Sequence, residues 1–80
     1  MGGSIGDIAS KSGEFLNKKV SLSGFDSQPT VGPKVMWEKQ WFILKDQSGE
    51  ILCLADKKSV GKGTISGFVR REAGIPYIEA

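Results

Sequence analysis

Two tryptophans and two lysines share one parity along a short stretch of this chain: Trp37, Lys39, Trp41 and Lys45. If the backbone there is extended, successive side chains point to opposite faces, so these four fall on one side. Flat indole rings interleaved with ammonium groups suit a ligand that carries planar rings and phosphates. Stacking of a base on an aromatic ring contributes about 1–3 kcal/mol and is largely indifferent to sequence, while lysines displace condensed counterions from the backbone. A second basic run strengthens this reading. From Lys57 to Arg71 there are five basic residues (Lys57, Lys58, Lys62, Arg70 and Arg71) and no acid. The candidate contact residues are therefore Trp37, Lys39, Trp41, Lys45, Arg70 and Arg71. Each also has a plain structural explanation. Trp41 can pack beneath a loop or the N-terminal segment as a second small core, Trp37 can fasten a loop to the body of the protein, and a charge run is often only a solvated face.

The same inventory argues against catalysis. There is no histidine, which removes the commonest general base and zinc ligand. Cys53 is the only cysteine, so no internal disulfide can form, and it lies on the parity of Ile51, as a small buried hydrophobe would. Asp46 precedes Gln47-Ser48-Gly49, where a carboxylate commonly caps the amides of a turn. Gly61-Lys62-Gly63 lacks the spacing and the strand and helix context of a phosphate-binding loop. The expectation is a non-catalytic module with no cofactor and no metal.

The elements that must position these residues are mostly strands. Val20–Phe25 alternates apolar and small polar residues around Gly24, a pattern that suggests a bulge or sharp bend within a strand. Asp26–Met36, with Pro29, Gly32 and Pro33, reads as a long loop. Trp37–Asp46 and Glu50–Leu54 form a hairpin about Gln47-Ser48-Gly49. After a polar connection over 55–62, Thr64–Arg70 is another alternating strand with a glycine inside it, and Ile75–Glu79 closes the chain after a turn at Glu72-Ala73-Gly74. Period two then places Leu22, Phe42, Leu44, Ile51, Ile65, Val69 and Ile78 on one interior. Phe25 and Phe68 take the outward parity, each beside a glycine that an aromatic ring often covers. Residues 4–19 offer only one short helical turn, capped by Ser12, within a lead-in segment that packs on one end of the body.

Three segments together resemble the OB-fold of the tRNA-anticodon-binding type: Val20-Ser21-Leu22-Ser23-Gly24, Trp41–Ile51 (WFILKDQSGEI), and Gly63–Val69 (GTISGFV). The resemblance covers Lys19 to Ala80. It implies an all-β, small five-stranded Greek-key barrel with a ligand surface on the outer face of the second and third strands, flanked by loops. It also implies that Trp41 is a base-stacking aromatic and Lys45 its basic neighbour, with Phe42 and Leu44 inside the barrel. On that assignment, Trp41→Ala would weaken ligand binding and leave stability nearly unchanged. The connection over 55–62 is too short for the helix often found there, and no synthetase catalytic domain accompanies the motif.

Length and composition fit this picture. Eighty residues make one domain with a thin core, and 39% hydrophobic with 25% charged residues is a globular composition. We read 1–18 as the lead-in segment, with Met1-Gly2-Gly3-Ser4 resembling a cloning remnant, and 19–80 as the barrel. A net charge of +2 is too small to argue for a polyanionic partner by itself. No apolar run is long enough for a membrane span, and no signal peptide is visible. A lone cysteine fits the cytoplasm without excluding export. The expected partner is single-stranded nucleic acid, DNA or RNA. The rivals are a protein-interaction or structural domain of a larger protein, an exported one included, with flanking domains, and a small-ligand or oligosaccharide binder that uses the same aromatics.

Overall fold

A computed structural model describes residues 4–26, 30–34, 38–56, 61 and 63–80. Among these the protein is mostly β: two short helices, α1 (Ile5–Ser10) and α2 (Ser12–Phe15), precede β1 (Lys19–Ser23), β2 (Phe25–Asp26), β3 (Lys39–Asp46), β4 (Gly49–Asp56), β5 (Thr64–Glu72) and β6 (Ile75–Glu79). The strands join in one curled sheet in the order β1-β5-β6-β4-β3-β2. Its two ends, β1 and β2, are consecutive pieces of chain on either side of Gly24, as a small β barrel requires. Every contact in the sheet is antiparallel except that between β4 and β6.

Gly24 acts as the corner expected from the sequence. A Cβ there would lie 2.3 Å from the Lys45 carbonyl oxygen, and its N–H donates to the Gly63 carbonyl at 2.8 Å. The chain thus leaves β5, its partner through β1, and joins β3 through β2, at a point where only a glycine fits. Gly67 allows a similar approach by β6, whose Glu79 carbonyl would lie 2.4 Å from an added Cβ. The β5–β6 hairpin turns on Ala73 and Gly74, both at positive φ (52° and 80°), the backbone of a tight hairpin turn that matches strand twist.

All seven residues expected in the interior are there. Leu22, Phe42, Leu44, Ile51, Ile65, Val69 and Ile78 form one buried cluster with Val20, Cys53 and Ala55. Two strands run longer than the sequence suggests, while the second expected strand starts at Lys39, after Glu38 at positive φ (70°). The third expected strand continues through Ala55 to Asp56, because Ala55 is itself core, and the fourth continues through Glu72 to the turn.

The N-terminal segment departs further from expectation. Residues 5–10 form a helix in addition to the turn at residue 12, and Ile5 and Ile8, one helical turn apart, belong to the main core. Six residues are too few for an isolated helix, so burial of these two side chains sustains it. Ser4 caps it, accepting a hydrogen bond from the Asp7 amide at 3.3 Å. Ser12 is the first residue of α2, not its cap; Lys11 holds that position without a side-chain hydrogen bond, while the buried Ser12 hydroxyl accepts from Arg71. Residues 16–18 then run beside β5, with the Asn17 amide donating to Val69 O and the Val69 amide donating to Lys18 O.

Candidate binding surface

On β3, the residues facing away from the core are Lys39, Trp41, Ile43 and Lys45, and their cross-strand partners on β4 are Asp56, Leu54, Leu52 and Glu50. The outward parity read from the sequence is therefore correct. Of the two readings of Trp41, the packed one holds and the exposed one does not: only 5% of its surface is accessible. Trp41 packs with Leu54 and Tyr77 in a second apolar cluster on the outside of the sheet, with Leu52 against it. The Tyr77 ring stands edge-on to the indole, at 5.0 Å between centroids and 71° between planes, a favourable aromatic geometry.

Residues 30–34 cover this cluster. The Thr30 amide donates to Trp41 O at 2.9 Å, the indole N–H donates to the Lys34 carbonyl at 2.7 Å, and Gln40 donates to the Thr30 carbonyl at 3.3 Å. Gly32 lies so close to the indole that a Cβ there would come within 2.0 Å of the ring. The Lys34 ammonium sits 5.4 Å from the Tyr77 ring centroid and 3.9 Å from the Glu72 carboxylate. Residues 30–34 thus occupy the aromatic face with their own backbone, and Trp41 offers no open platform for stacking. Tyr77 was not singled out from the sequence. Its outward parity on β6 was the available signal, but the pairing of β6 with β4 that brings it to Trp41 is non-local.

The other candidates are dispersed. Lys45 is exposed, beside the 77%-exposed Phe25 on β2 and opposite Glu50. Lys39 reaches the Ala80 carbonyl at 3.1 Å, at the other end of β3. Arg70 and Arg71 lie on β5, away from β3. Arg70 donates through Nε to Glu79 at 3.3 Å and through Nη1 to Asn17. Arg71 is tied to Ser12. Trp37 and three of the basic-run lysines, Lys57, Lys58 and Lys62, lie outside the described residues.

Phe68 on β5, read from the sequence as a cover for its neighbouring glycine, is 36% exposed. The Arg70 guanidinium lies 5.1 Å from its ring centroid, Lys19 is its cross-strand neighbour on β1, and Glu79 its neighbour on β6. The next outward pair on the same two strands is Ser21 and Ser66, whose hydroxyl oxygens are 2.6 Å apart.

Asp46 plays the turn role expected of it. Its Oδ1 accepts from the Ser48 amide at 2.7 Å, the Gly49 amide at 3.2 Å and the Ser48 hydroxyl, and its Oδ2 accepts from the Ile5 amide at 3.4 Å. It thereby links the β3–β4 turn to the start of α1. These donors, the Ser48 hydroxyl first, hold its carboxyl below the usual carboxylate range. A depressed folded-state pKa contributes stability that is present above the unfolded-state value and lost as pH falls through the folded one. Asp46→Ala is therefore expected to lower the thermal midpoint at neutral pH and to flatten its decline below about pH 4. Parallel melting curves of both proteins from neutral to acid pH, with a constant offset throughout, would contradict this.

An open crevice of about 350 Å³ at this turn is lined by Lys45, Asp46, Gln47, Ser48, Gly49 and Glu50, with no aromatic ring in its wall. Among the described residues, no cluster of three or more His, Cys, Asp or Glu residues is placed to hold a metal ion, and no helix is long and apolar enough to cross a membrane. Cys53 is buried. The chain matches no protein-family model and no curated protein.

Proposed function

We propose that this chain is an OB-type barrel serving as a non-catalytic module for single-stranded nucleic acid. The fold half of this reading is supported by strand pairing. With β1 and β2 counted as one bent strand, the five strands pair first with second, second with third, third with fifth, fifth with fourth, and fourth with first. That order, with one parallel contact between named strands, is the one a five-stranded OB barrel would have.

The observation that carries the ligand half is the presence of exposed aromatic rings beside cations on the outer face, Phe25 next to Lys45 and Phe68 between Lys19 and Arg70. Rings of this kind stack bases without sequence preference, and the cations neutralise neighbouring phosphates. The wild-type protein is expected to bind a labelled oligonucleotide of about ten nucleotides with micromolar affinity at low salt and more weakly as salt rises. Anisotropy titrations at two salt concentrations test this, and no binding at low salt would overturn it.

A second reading, a protein-interaction or structural OB domain, is favoured by one specific feature. Residues 30–34 cover the Trp41–Tyr77 part of the outer face of β3, β4 and β6, so much of the surface on which such barrels commonly take ligands is already filled.

A further inference from the structure

We infer that single-stranded nucleic acid is bound on the outer face of β1 and β5, with a base stacked on Phe68 and phosphates held by Lys19 and Arg70. This rests on the nucleic-acid reading above and moves its site away from β3 and β4, where the resemblance would put it. Three observations lead there. The aromatic part of the β3–β4–β6 face is closed, because Trp41 is 5% exposed and its indole N–H is already satisfied by Lys34 O. The other exposed aromatic among the described residues, Phe25, has a single cation beside it, Lys45, with Glu50 across the hairpin from that lysine. Phe68 instead lies between a lysine on one neighbouring strand and an arginine held over its ring.

The arrangement is preorganised for stacking. The Arg70 guanidinium is fixed by Glu79 at Nε and by Asn17 at Nη1, so it covers the Phe68 ring without losing further side-chain freedom on binding. A base on the ring would complete a stack of guanidinium, phenyl and base. Glu79 offsets part of the charge, and a phosphate approaching Arg70 must be met by guanidinium N–H groups that Glu79 and Asn17 do not use; the group carries five. Lys19 is exposed, and Lys18 beside it is exposed as well. The paired hydroxyls of Ser21 and Ser66 continue the face as neutral hydrogen-bonding groups one row along.

The test is an anisotropy titration with a labelled oligothymidine of about ten nucleotides, using Phe68→Leu, Lys19→Gln and Phe25→Leu beside the wild type. Leucine keeps the apolar area and removes the aromatic face, and a thermal melt checks that each variant is folded. Phe68→Leu should weaken binding roughly tenfold or more at an unchanged or slightly shifted midpoint. Lys19→Gln should reduce the salt dependence by about one counterion. Phe25→Leu should bind as the wild type does. A Phe68→Leu protein that binds normally overturns the site while the nucleic-acid reading stands, and loss on Phe25→Leu alone moves the site to β2. A wild-type protein that does not bind overturns both. Binding of an acidic peptide but not of the oligonucleotide would do the same and would support the protein-interaction reading.

Discussion

Trp41→Ala is expected to destabilise the protein by about 3–5 kcal/mol, the range for removing a large buried aromatic side chain. The indole is 5% exposed, touches Leu54 and Tyr77, and is roofed by residues 30–34. Its removal leaves a cavity, uncovers Tyr77, and takes away the donor to the Lys34 carbonyl. A domain of this size has little stability in reserve, and a loss of this kind lowers the thermal midpoint by on the order of 20 °C. The loop over 30–34 should also be cut faster by trypsin at Lys34, because its main anchor is gone. Trp41→Phe retains the aromatic contact with Tyr77 and should recover much of the loss. A midpoint within a few degrees of wild type for Trp41→Ala would mean that the indole is not covered, and the face would again be open for stacking.

Phe42→Ala is expected to cost a similar amount, about 3–5 kcal/mol, with a different outcome. Phe42 is fully buried and lies opposite Cys53 in the main core, which α1 also enters through Ile5 and Ile8. Its loss therefore loosens both the barrel interior and the docking of the N-terminal helix. Trp41→Ala opens one side of a barrel that keeps its interior, whereas Phe42→Ala removes support shared by most of the strands. Proton–nitrogen correlation spectra separate the two. Trp41→Ala should keep a dispersed spectrum with changes centred on β3, β4, β6 and 30–34, and Phe42→Ala should collapse much of that dispersion near room temperature. A well-dispersed, near-native spectrum for Phe42→Ala would show that the core tolerates the cavity.

These neighbouring residues on one strand also mark how far the sequence could be read. Alternation along β3 assigned Phe42 and Leu44 to the interior and Trp41 and Lys45 to the outside, and all four point that way. Side-chain direction in a strand is a local property with a period of two, so composition and spacing suffice to predict it. The same holds for the corner at Gly24, the turn at Asp46 and the burial of Cys53, which depend on residue type at a particular place along the chain.

What lay beyond the sequence was which outward surface gets covered. Trp41 is buried because a loop from 30 to 34 folds back over it and because β6 pairs with β4 and brings Tyr77 alongside. Ile5 and Ile8 become core because α1 docks on the barrel and ties to Asp46 and Ser48, some forty residues away in sequence. Arg70 comes to Phe68 by local strand spacing, but its partners Asn17 and Glu79 come from other elements. Strand parity determines that a side chain leaves the core. Whether it then meets water or another part of the chain is set by contacts between distant segments, whose free energy depends on the whole packed arrangement, and that was decided only in the tertiary structure.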